Sequence, residues 1–407
     1  MQKQRLVIAG GGIGGLAAAI GAARAGCEVQ LFERAPAWAE VGAGVQLGPN
    51  AVRCLDDWGL HAALRAVAAF PERLQVRSAL SGAELAAMPL GEDIAQRYGA
   101  AYVSIHRADL HGLLLGAAQA AGGANALNLG DAVMRYGDEG SRAVVRLASG
   151  RVAVGDALIG ADGLRSPTRA RLLGEEPTRT SGHLAYRAVV PQSALPAALR
   201  TAQVTAWLGP RLHVVQYPVR RGELMNVVAI RHGHPPDNLD SWDHAANAAE
   251  LEAALAGTCA ALQDLVCAVP QAGPGWRLWP LSDRRPVRGP HEMARGRVAL
   301  LGDAAHPMRP YLAQGAGMAI EDAVALQGAL AMGGDVPMAE RLQRYAGQRW
   351  QRVARVQSRA ERNGRIFHAT GPVRWARDAT LRLGGQRVLD LPWLYGAGAP
   401  RAATQPC

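Results

Sequence analysis

The sequence predicts an α/β protein, with a parallel-sheet domain, an antiparallel-sheet domain inserted into it, and a long C-terminal helix. Three observations predict this fold class. The first 35 residues show the pattern strand, glycine turn, helix, strand, which opens a doubly wound parallel sheet. Residues 177–282 carry short apolar or alternating runs separated by turns, as antiparallel sheets do. Residues 337–365 carry one long helical pattern.

Each element follows from the local pattern, in order along the chain. Apolar residues at 5–9 predict a strand, the glycine turn occupies 10–15, an alanine-rich helix follows at 16–25, and a second strand lies at 28–33. Later segments predict a strand at 102–105, a helix at 107–122, short strands within 131–161, antiparallel strands at 186–190, 204–208, 213–219 and 225–230, a strand at 297–301 and a helix at 317–330.

The last helical pattern, at 337–365, carries most of its arginines on one side. At 100° per residue six of them fall on one arc, opposite three apolar residues. A solvated face is the simpler interpretation of this arc, and a docking surface is the alternative. The arginines are Arg341, Arg344, Arg352, Arg355, Arg359 and Arg362, and the apolar residues are Leu342, Trp350 and Val353.

Size and composition favour a globular protein of two or three domains. The chain has 407 residues, 49% of them hydrophobic and 19% charged. Its net charge is +10, and Lys3 is the only lysine among 44 basic residues. Because the arginines are spread along the whole chain, the charge predicts no nucleic-acid partner.

Cysteine spacing and hydropathy exclude several other classes. The chain has five cysteines, and none of them is paired at the spacing of a zinc ribbon, so we expect no disulfide framework, no metal site and a reducing cytoplasmic location. Residues 6–23 are uncharged, but their glycines argue against a secretory leader. No other stretch is apolar enough to predict a membrane-spanning helix or a stable membrane partner.

The glycine turn predicts a dinucleotide site. Gly10, Gly12 and Gly15 follow the first strand directly, and Glu33 closes the next strand. Such glycines allow a pyrophosphate to approach the helix N-terminus, where amides and the helix dipole favour negative charge. The glutamate is then placed to accept hydrogen bonds from a ribose diol.

Two aspartates follow later strands at the edge of the sheet where ligands bind. Asp162 stands in the segment 160–166, and Asp303 stands in the segment 301–307. Either aspartate by itself is also explained as a cap of a turn. A plain NAD-dependent dehydrogenase has the glycine turn but has no use for these two segments.

Taken together, these segments resemble the group A flavoprotein monooxygenases, the single-component FAD-dependent aromatic hydroxylases. The resemblance covers nearly the whole chain and includes segments 10–15, 33–34, 106–110, 162–163 and 302–303. It implies a Rossmann-like FAD-binding domain at 1–176 and 283–407, with an inserted substrate domain at 177–282. It also favours a homodimer.

The resemblance implies which residues hold FAD. The first motif would hold the ADP half, Arg107 would contact the cofactor, Asp303 would bind the ribityl chain, and Asp162 would serve both FAD and the nicotinamide. A helix starting near Ala316 would direct its positive end at the flavin. The implied set is Gly10, Gly12, Ile13, Gly15, Glu33, Arg34, Val45, Gln46, Arg107, Asp162, Asp303, Gly315, Ala316 and Gly317.

The middle domain points to the substrate. Segment 207–218 resembles a strand of the 3-hydroxybenzoate 6-hydroxylases, salicylate hydroxylases and 6-hydroxynicotinate 3-monooxygenases. His213 and Tyr217 are four residues apart, so on a strand they share one face. A histidine is suited to take a phenolic proton, and Tyr217 would position the ring. Tyr311 is a further substrate candidate, and Pro310 departs from the hydroxybenzoate pattern.

The resemblance therefore implies an enzyme in which NADH or NADPH reduces FAD and O2 then forms a flavin C4a-hydroperoxide that hydroxylates a small phenolic acid. A 6-hydroxynicotinate-type substrate is the alternative. A flavin-dependent halogenase needs a catalytic lysine, and Lys3 precedes the first strand. A binding protein without enzymatic activity, docking through the arginine arc, is a remote alternative.

Overall fold

The computed structural model describes residues 3–38, 42–123, 126–138, 140–174, 178–233, 244–245, 248–333 and 335–397. The strands are β1 (Arg5–Ala9), β2 (Glu28–Phe32), β3 (Gly44–Leu47), β4 (Arg73–Ser78), β5 (Glu84–Pro89), β6 (Val103–His106), β7 (Leu127–Asn128), β8 (Val133–Asp138), β9 (Ala143–Leu147), β10 (Val152–Gly155), β11 (Ala157–Gly160), β12 (Arg179–Pro191), β13 (Val204–Gly209), β14 (Leu212–Val219), β15 (Leu224–His232), β16 (His244–Ala245), β17 (Arg277–Asp283), β18 (Ala294–Arg295) and β19 (Val298–Leu300). The helices are α1 (Ile13–Arg24), α2 (Pro49–Asp57), α3 (His61–Val67), α4 (Gly91–Tyr98), α5 (Arg107–Gly122), α6 (Pro167–Leu173), α7 (Ala248–Leu255), α8 (Ala260–Ala272), α9 (Gly315–Leu330), α10 (Met338–Phe367), α11 (Gly371–Gly384), α12 (Gln386–Leu389) and α13 (Pro392–Tyr395).

The chain forms two compact units. Unit 1 comprises Met1–Val41, Arg107–Ser181 and Ser282–Asn363, and unit 2 comprises Gly42–His106, Gly182–Leu281 and Gly364–Cys407. The sequence predicts segments 42–106 and 364–407 as parts of the cofactor domain, whereas the structure groups them with unit 2. The reason is long-range contact: β4 pairs in parallel with β13 of the inserted segment, and Leu381 of α11 packs with Val76 and Leu85 of β4 and β5. The predicted boundary at 176–177 lies outside the described residues.

Unit 1 is built on the parallel sheet that the sequence predicts. Its strand order is β18-β19-β11-β1-β2-β7, with β18 antiparallel to its neighbour and the other pairs parallel. Val7 and Leu158 on one face of this sheet pack against Val145 of the antiparallel sheet β10-β9-β8. The α/β fold class is thereby confirmed, with the central strands buried on both faces as in other parallel sheets.

Glycines of α1 allow close packing against α9. A Cβ added at Gly21 would lie 2.7 Å from the carbonyl oxygen of Ala323, and one added at Gly14 would lie 2.9 Å from Leu301. Both distances are shorter than a real Cβ contact allows. The contact at Gly21 is with the backbone of α9, so the two helices approach closely there because position 21 lacks a side chain. The glycine-rich start of the chain thus serves helix packing as well as the turn.

Unit 2 is built on an eight-stranded sheet with the order β16-β17-β12-β15-β14-β13-β4-β5. One face packs against α7 and α8, as in the buried cluster that holds Val214 and Val227 together with Leu262 and Leu265. His213 and Tyr217 are the second and sixth residues of β14, whereas Val214 is the third, so His213 and Tyr217 lie on the opposite face from Val214. The alternation of side chains along β14 therefore places the core of unit 2 on one face of the sheet and the candidate site on the other.

The sequence favours a solvated face for the whole arginine arc of α10, but only part of the arc is solvated in the structure. Arg341 is buried, and its guanidinium donates to the carbonyl oxygens of Leu330 at 2.7 Å, Gly333 at 2.8 Å and Val336 at 2.9 Å. These acceptors lie at and beyond the end of α9, where the last carbonyls lack helical partners. Arg344 remains exposed and pairs with Glu340. One part of the arc is therefore a helix cap and another part is a solvated face.

Across the described residues, no helix combines the length and the apolar character needed to cross a bilayer.

Candidate active site

The glycine turn after β1 is closed by two of its glycines and left open at a third. Gly10 has φ 101°, and its N–H donates to the carbonyl oxygen of Phe32 at 2.8 Å. A Cβ at Gly15 would lie 1.9 Å from the carbonyl oxygen of Gly10, so position 15 admits only glycine. A Cβ at Gly12 would meet no atom within 4 Å. The space beside Gly12 is therefore available to a ligand.

Helix α1 begins immediately after this open position. Gly12 is its N-cap and provides no side-chain cap, and Ile13 is the first helical residue. The first amides of a helix have no partners within the helix, and with the helix dipole they favour an anion. A pyrophosphate group matches this N-terminus in both charge and space.

Glu33 is fixed at the end of β2 by backbone amides. Its Oε2 accepts from the N–H of Gly11 at 2.6 Å, and its Oε1 accepts from the N–H of Ala35 at 2.8 Å. Two such bonds hold the carboxylate beside the glycine turn, and its remaining lone pairs can accept from a ribose diol. The neighbouring Arg34 is exposed.

Helix α5 brings a histidine to the same turn, which the sequence analysis missed. Arg107 is the first residue of α5 and is half-buried. One turn later, the Nε2 atom of the buried His111 lies 2.8 Å from the carbonyl oxygen of Gly11. Residues four apart share a helix face, so Arg107 and His111 are on the same side of α5. That spacing from Arg107 was the available signal.

The carboxylate of Asp162 caps its own loop. It accepts from the Thr168 N–H at 3.0 Å and the Thr168 hydroxyl at 2.7 Å, and also from the Ser166 hydroxyl. This is the capping role that the sequence left open as an alternative. The backbone of the segment lies against the glycine turn, because a Cβ at Gly10 would lie 3.0 Å from the Asp162 Cα. A cofactor contact at this segment would therefore come from its backbone.

Asp303 presents an exposed carboxylate beside the start of α9. It lies in the 3-10 turn Gly302–Ala304, and its Oδ1 is 4.0 Å from the position that a Cβ at Gly315 would occupy. Gly315 and Ala316 open α9 and are partly exposed, and Gly317 follows them in the first turn. This site combines an acceptor for hydroxyl groups with helix amides that favour negative charge.

A buried ion network holds the Asp303 turn in place. Asp322 of α9 accepts from the Gly302 N–H at 3.1 Å and from Arg349 Nε at 2.7 Å, and it lies 2.5 Å from His306 Nε2. Burial acts to raise the pKa of Asp322, but His306 and Arg349 outweigh it and hold the pKa below its usual value. The sequence analysis missed this network, because nothing local links position 322 to position 349.

These residues of unit 1 fit FAD. The open position at Gly12, the uncapped N-terminus of α1, the fixed Glu33 and the exposed Asp303 offer partners for a pyrophosphate, a ribose and a ribityl chain. Val45 and Gln46, which the family resemblance also assigns to FAD, lie on β3 in unit 2 and are therefore not part of this set in unit 1.

Tyr311 is a buried residue of unit 1. Its carbonyl oxygen accepts from the Asn363 side chain at 3.0 Å, and burial raises the pKa of its hydroxyl. The neighbouring Arg309 pairs with Asp283, with 2.6 Å between Nε and Oδ2. The ring is thus held in a fixed place, and it remains a substrate candidate.

In unit 2, His213 is buried on the face of the sheet opposite Val214, and it pairs with a second histidine. Its Nδ1 lies 2.6 Å from Nε2 of His368, which follows α10. Burial lowers the pKa of His213 to about 3, and His183 contributes to this shift. The ring is therefore neutral, and its Nε2 is the nitrogen not used in the pair with His368. His368 was missed because it is far from His213 in sequence.

Tyr217 lies on the same face of β14 within an amide and phenol network. Burial raises the pKa of its hydroxyl, and the nearby Arg187, Gln46 and Asn226 act in the opposite direction. Tyr102 donates to Gln46 Oε1 at 2.5 Å, and Asn226 Oδ1 accepts from the Gly44 N–H at 2.7 Å. Gln46 and Tyr217 are therefore brought together in unit 2.

Comparisons with known proteins identify the family of this chain. A family model described as FAD binding domain matches residues 3–360. The chain is 39% identical over 394 residues to 3-hydroxybenzoate 6-hydroxylase of Polaromonas naphthalenivorans, covering 96% of this chain and 95% of that protein. The chain belongs to the FAD-dependent aromatic hydroxylases.

Two further relatives extend the comparison. The chain is 36% identical to 6-hydroxynicotinate 3-monooxygenase of Bordetella bronchiseptica over 87% of this chain and 90% of that protein. A solved structure of a salicylate hydroxylase substrate complex superposes with a TM-score of 0.80 at 26% identity, covering 97% of this chain and 95% of that one. This member of the family is an FAD-dependent aromatic-ring monooxygenase, and the matched family model spans parts of both units.

Proposed function

We propose that this enzyme hydroxylates a small phenolic carboxylic acid of the 3-hydroxybenzoate or salicylate type, using NADH or NADPH and O2. The observation that carries the proposal is the position of His213 and Tyr217 on one face of β14, in a unit whose core lies on the other face. The 39% identity to a 3-hydroxybenzoate 6-hydroxylase supports the substrate class.

The cofactor set proposed for FAD comes mainly from unit 1. The turn at 10–15 and the N-terminus of α1 would bind the pyrophosphate, Glu33 the ribose, Asp303 the ribityl chain, and the first turn of α9 the flavin. Arg107, Asp162, Val45 and Gln46 stay in the set as the family resemblance implies. When bound, FAD supplies the redox chemistry and the activation of O2, while the protein binds, orients and excludes water.

His213 is proposed to accept the phenolic proton of the substrate at Nε2. In its neutral state the ring carries one nitrogen with a lone pair, and its Nδ1 is held by His368 at 2.6 Å. With Nδ1–H donating to His368, the proton-accepting nitrogen of His213 is Nε2. Removal of the phenolic proton makes the ring a better nucleophile, and the phenolate then offsets the burial penalty on the imidazolium.

Tyr217 is proposed to position the aromatic ring. Its ring is buried on the sheet face, and Gln46 and Asn226 lie near its hydroxyl. Arg187 of β12 lies on that same face in register with Val228 and Val215, and it offers a cation for a carboxylate.

A 6-hydroxynicotinate-type substrate is the second candidate. The motif Arg309-Pro310-Tyr311 favours it, as does the 36% identity to a 6-hydroxynicotinate 3-monooxygenase. The guanidinium of Arg309 is already paired with Asp283 of the same unit, which leaves it less suited to bind a substrate group.

The deciding experiment is a substrate screen. The purified yellow enzyme is mixed with 3-hydroxybenzoate, salicylate or 6-hydroxynicotinate, NADH or NADPH is supplied, and the product is identified by mass spectrometry. We expect stimulated nicotinamide oxidation coupled to one added oxygen atom with a hydroxybenzoate. A hydroxylated product from 6-hydroxynicotinate alone would replace the first candidate with the second. If none of the three compounds yields a product, both candidate functions are contradicted.

The role of His213 is tested by the variant His213→Ala. We expect turnover to fall at least about 100-fold, the usual contribution of a general base, while FAD content is unchanged because the cofactor set lies elsewhere. His61→Ala, at an exposed histidine of α3, is the matched control and should behave as wild type. Turnover of His213→Ala at the wild-type rate with the true substrate would remove His213 from the mechanism.

The compartment and assembly state are also proposals. Cys27, Cys54, Cys259 and Cys267 are free thiols, which suits a reducing cytoplasm, whereas Cys407 lies outside the described residues. Light scattering coupled to size-exclusion chromatography decides whether the chain forms the homodimer that the family resemblance favours.

A further inference from the structure

Four histidines from distant parts of the sequence meet at one end of the unit 2 sheet. His183 lies on β12, His213 on β14, His232 on β15, and His368 follows the end of α10. We call His183, His232 and His368 the histidine triad, and His213 contacts it through His368. Nothing in the proposed reaction requires His183 or His232.

The ring nitrogens of the triad converge. One ligand atom from each of the three residues can be chosen so that all lie within 4.8 Å of one another. His183 and His232 are direct cross-strand partners, and their rings stack with centroids 4.4 Å apart. The His368 ring lies 4.9 Å from each of the other two.

Backbone hydrogen bonds hold these positions. Arg211, in the tight turn between β13 and β14, donates its N–H to the carbonyl oxygen of His368 at 3.1 Å. The carbonyl oxygen of Arg211 in turn accepts from the N–H of His232 at 3.1 Å. Gly233 donates to Gly182 at 3.0 Å, which ties the strand ends that carry His232 and His183. The triad therefore stands on a fixed framework.

We propose that the histidine triad binds a divalent transition-metal ion, with Zn²⁺ as the representative. Zn²⁺ takes imidazole nitrogens at about 2.0–2.1 Å, so nitrogens that now lie within 4.8 Å need to draw together by only about 1–1.5 Å. Three imidazoles without a carboxylate select Zn²⁺, Cu²⁺ or Ni²⁺ over Mg²⁺ and Ca²⁺. His183 and His368 are buried and His232 is exposed, which gives the ion a route from solvent and a water ligand in the fourth position.

The local charges are compatible with a bound cation. Arg377 is a cation that acts on His368 of the triad. Its guanidinium pairs with Asp378 at 2.8 Å and donates to the carbonyl oxygen of Phe367 at 2.7 Å, which offsets part of its repulsion.

Metal binding would also oppose the proposed base. As a base, His213 needs its proton on Nδ1, where it donates to Nε2 of His368. If the metal takes Nε2 of His368, that acceptor is lost. If the metal takes Nδ1 of His368, the proton of His368 lies on Nε2 and is donated to Nδ1 of His213. The proton of His213 then lies on its Nε2, which is the nitrogen that must accept the proton of the substrate. Either way the ion inhibits, and this second step rests on the proposed function.

The site is tested by direct Zn²⁺ binding to the tag-free holoenzyme in competition with a chromophoric chelator. We expect one equivalent of tightly bound Zn²⁺ in wild type and in the control His61→Ala. His232→Gln, at an exposed position, and His183→Gln should each weaken binding at least about 10-fold because each removes one of three ligands. Absence of binding in wild type, or wild-type affinity in His232→Gln, would overturn the site.

The coupling to His213 is tested separately by activity. Zn²⁺ should inhibit substrate-stimulated nicotinamide oxidation in wild type and in His61→Ala, and activity should recover when chelator is added. For His232→Gln, the Zn²⁺ concentration needed for inhibition should rise by the same factor as the Zn²⁺ dissociation constant of that variant. Binding without inhibition would overturn the coupling and leave the metal site standing. If no phenolic acid is turned over, the proposed function fails, and the chelator competition still decides the metal site.

Discussion

At the scale of single residues, the glycines after β1 have separate tasks. Gly15 is required by the fold, because a Cβ there would lie 1.9 Å from the Gly10 carbonyl oxygen. Gly21 is required by the approach of α9, and a Cβ at Gly14 would press on the Leu301 side chain. Gly12 has open space instead, so the fold places no demand on it. A glycine that the fold does not need, at the N-terminus of a helix, is the strongest residue-level sign of a ligand.

The variant Gly12→Ala separates binding from folding. A methyl group there meets no protein atom within 4 Å, so we expect the FAD-free protein to fold, with only the small loss of stability that alanine causes at an N-cap. The same methyl group would occupy the space proposed for the pyrophosphate, so FAD affinity should fall at least about 10-fold, or about 1.4 kcal/mol. Fluorescence titration with FAD measures this.

Gly116→Ala on α5 is the matched control, since a Cβ there also meets nothing within 4 Å and the position is exposed. It should bind FAD as wild type does. Equal FAD affinity in Gly12→Ala and Gly116→Ala would show that the cofactor does not approach the turn at position 12.

At the scale of elements, α9 and α10 are joined by buried charges. Asp322 and Glu321 of α9 pair with Arg349 of α10, and Arg352 also pairs with Glu321. Asp322 also holds the Gly302 amide, so the same carboxylate joins two helices and fixes the turn that presents Asp303. Loss of one member of a buried pair leaves the other charge uncompensated.

Asp322→Asn should lower the free energy of unfolding by about 3 kcal/mol at neutral pH. Because the folded-state pKa of Asp322 lies below the ordinary aspartate value of 3.8, this contribution is fully present above that value and is lost as pH falls through the folded pKa. Urea unfolding of wild type and variant should therefore give a constant difference at neutral and mildly acidic pH and a shrinking one below 3.8.

Asp264→Asn, at an exposed position of α8, is the control and should change stability by less than about 0.5 kcal/mol. A difference between wild type and Asp322→Asn that grows as the solution is acidified would contradict the assigned charge state of Asp322.

At the scale of the whole molecule, the net charge of +10 suits an enzyme that handles anions. The nicotinamide cofactor, FAD and an aromatic carboxylate all carry negative charge. A positive protein raises the rate at which such ligands arrive, and salt reduces this effect because the Debye length falls to about 8 Å at ~0.15 M ionic strength.

We therefore expect the association rate constant of 3-hydroxybenzoate, followed by stopped-flow flavin absorbance, to fall severalfold as salt is added. The uncharged 3-hydroxybenzamide is the matched ligand, and its association rate should not change with salt. An identical salt dependence for the two ligands would show that charge does not steer the substrate.

How far sequence alone predicts this protein depends on the distance over which each feature is specified. The positions of the glycine turn, Glu33 and the turn residue Asp303 follow from the end of one strand and the start of the next element, so periodicity and motif spacing predict where they lie. Their roles toward FAD are implied by the family resemblance. Segments 42–106 and 364–407 were assigned to the cofactor domain because the parallel pairing of β4 with β13 has no local signal.

By itself the sequence determined the α/β fold class, the FAD-type glycine turn, and a histidine and a tyrosine on one strand face. Only the tertiary structure decided that His213 pairs with His368, that Asp322 supports the Asp303 turn, and that His183, His232 and His368 converge. The reason is physical: a turn is encoded by adjacent residues, whereas these clusters depend on strand register and helix packing that bring distant segments within a few ångströms.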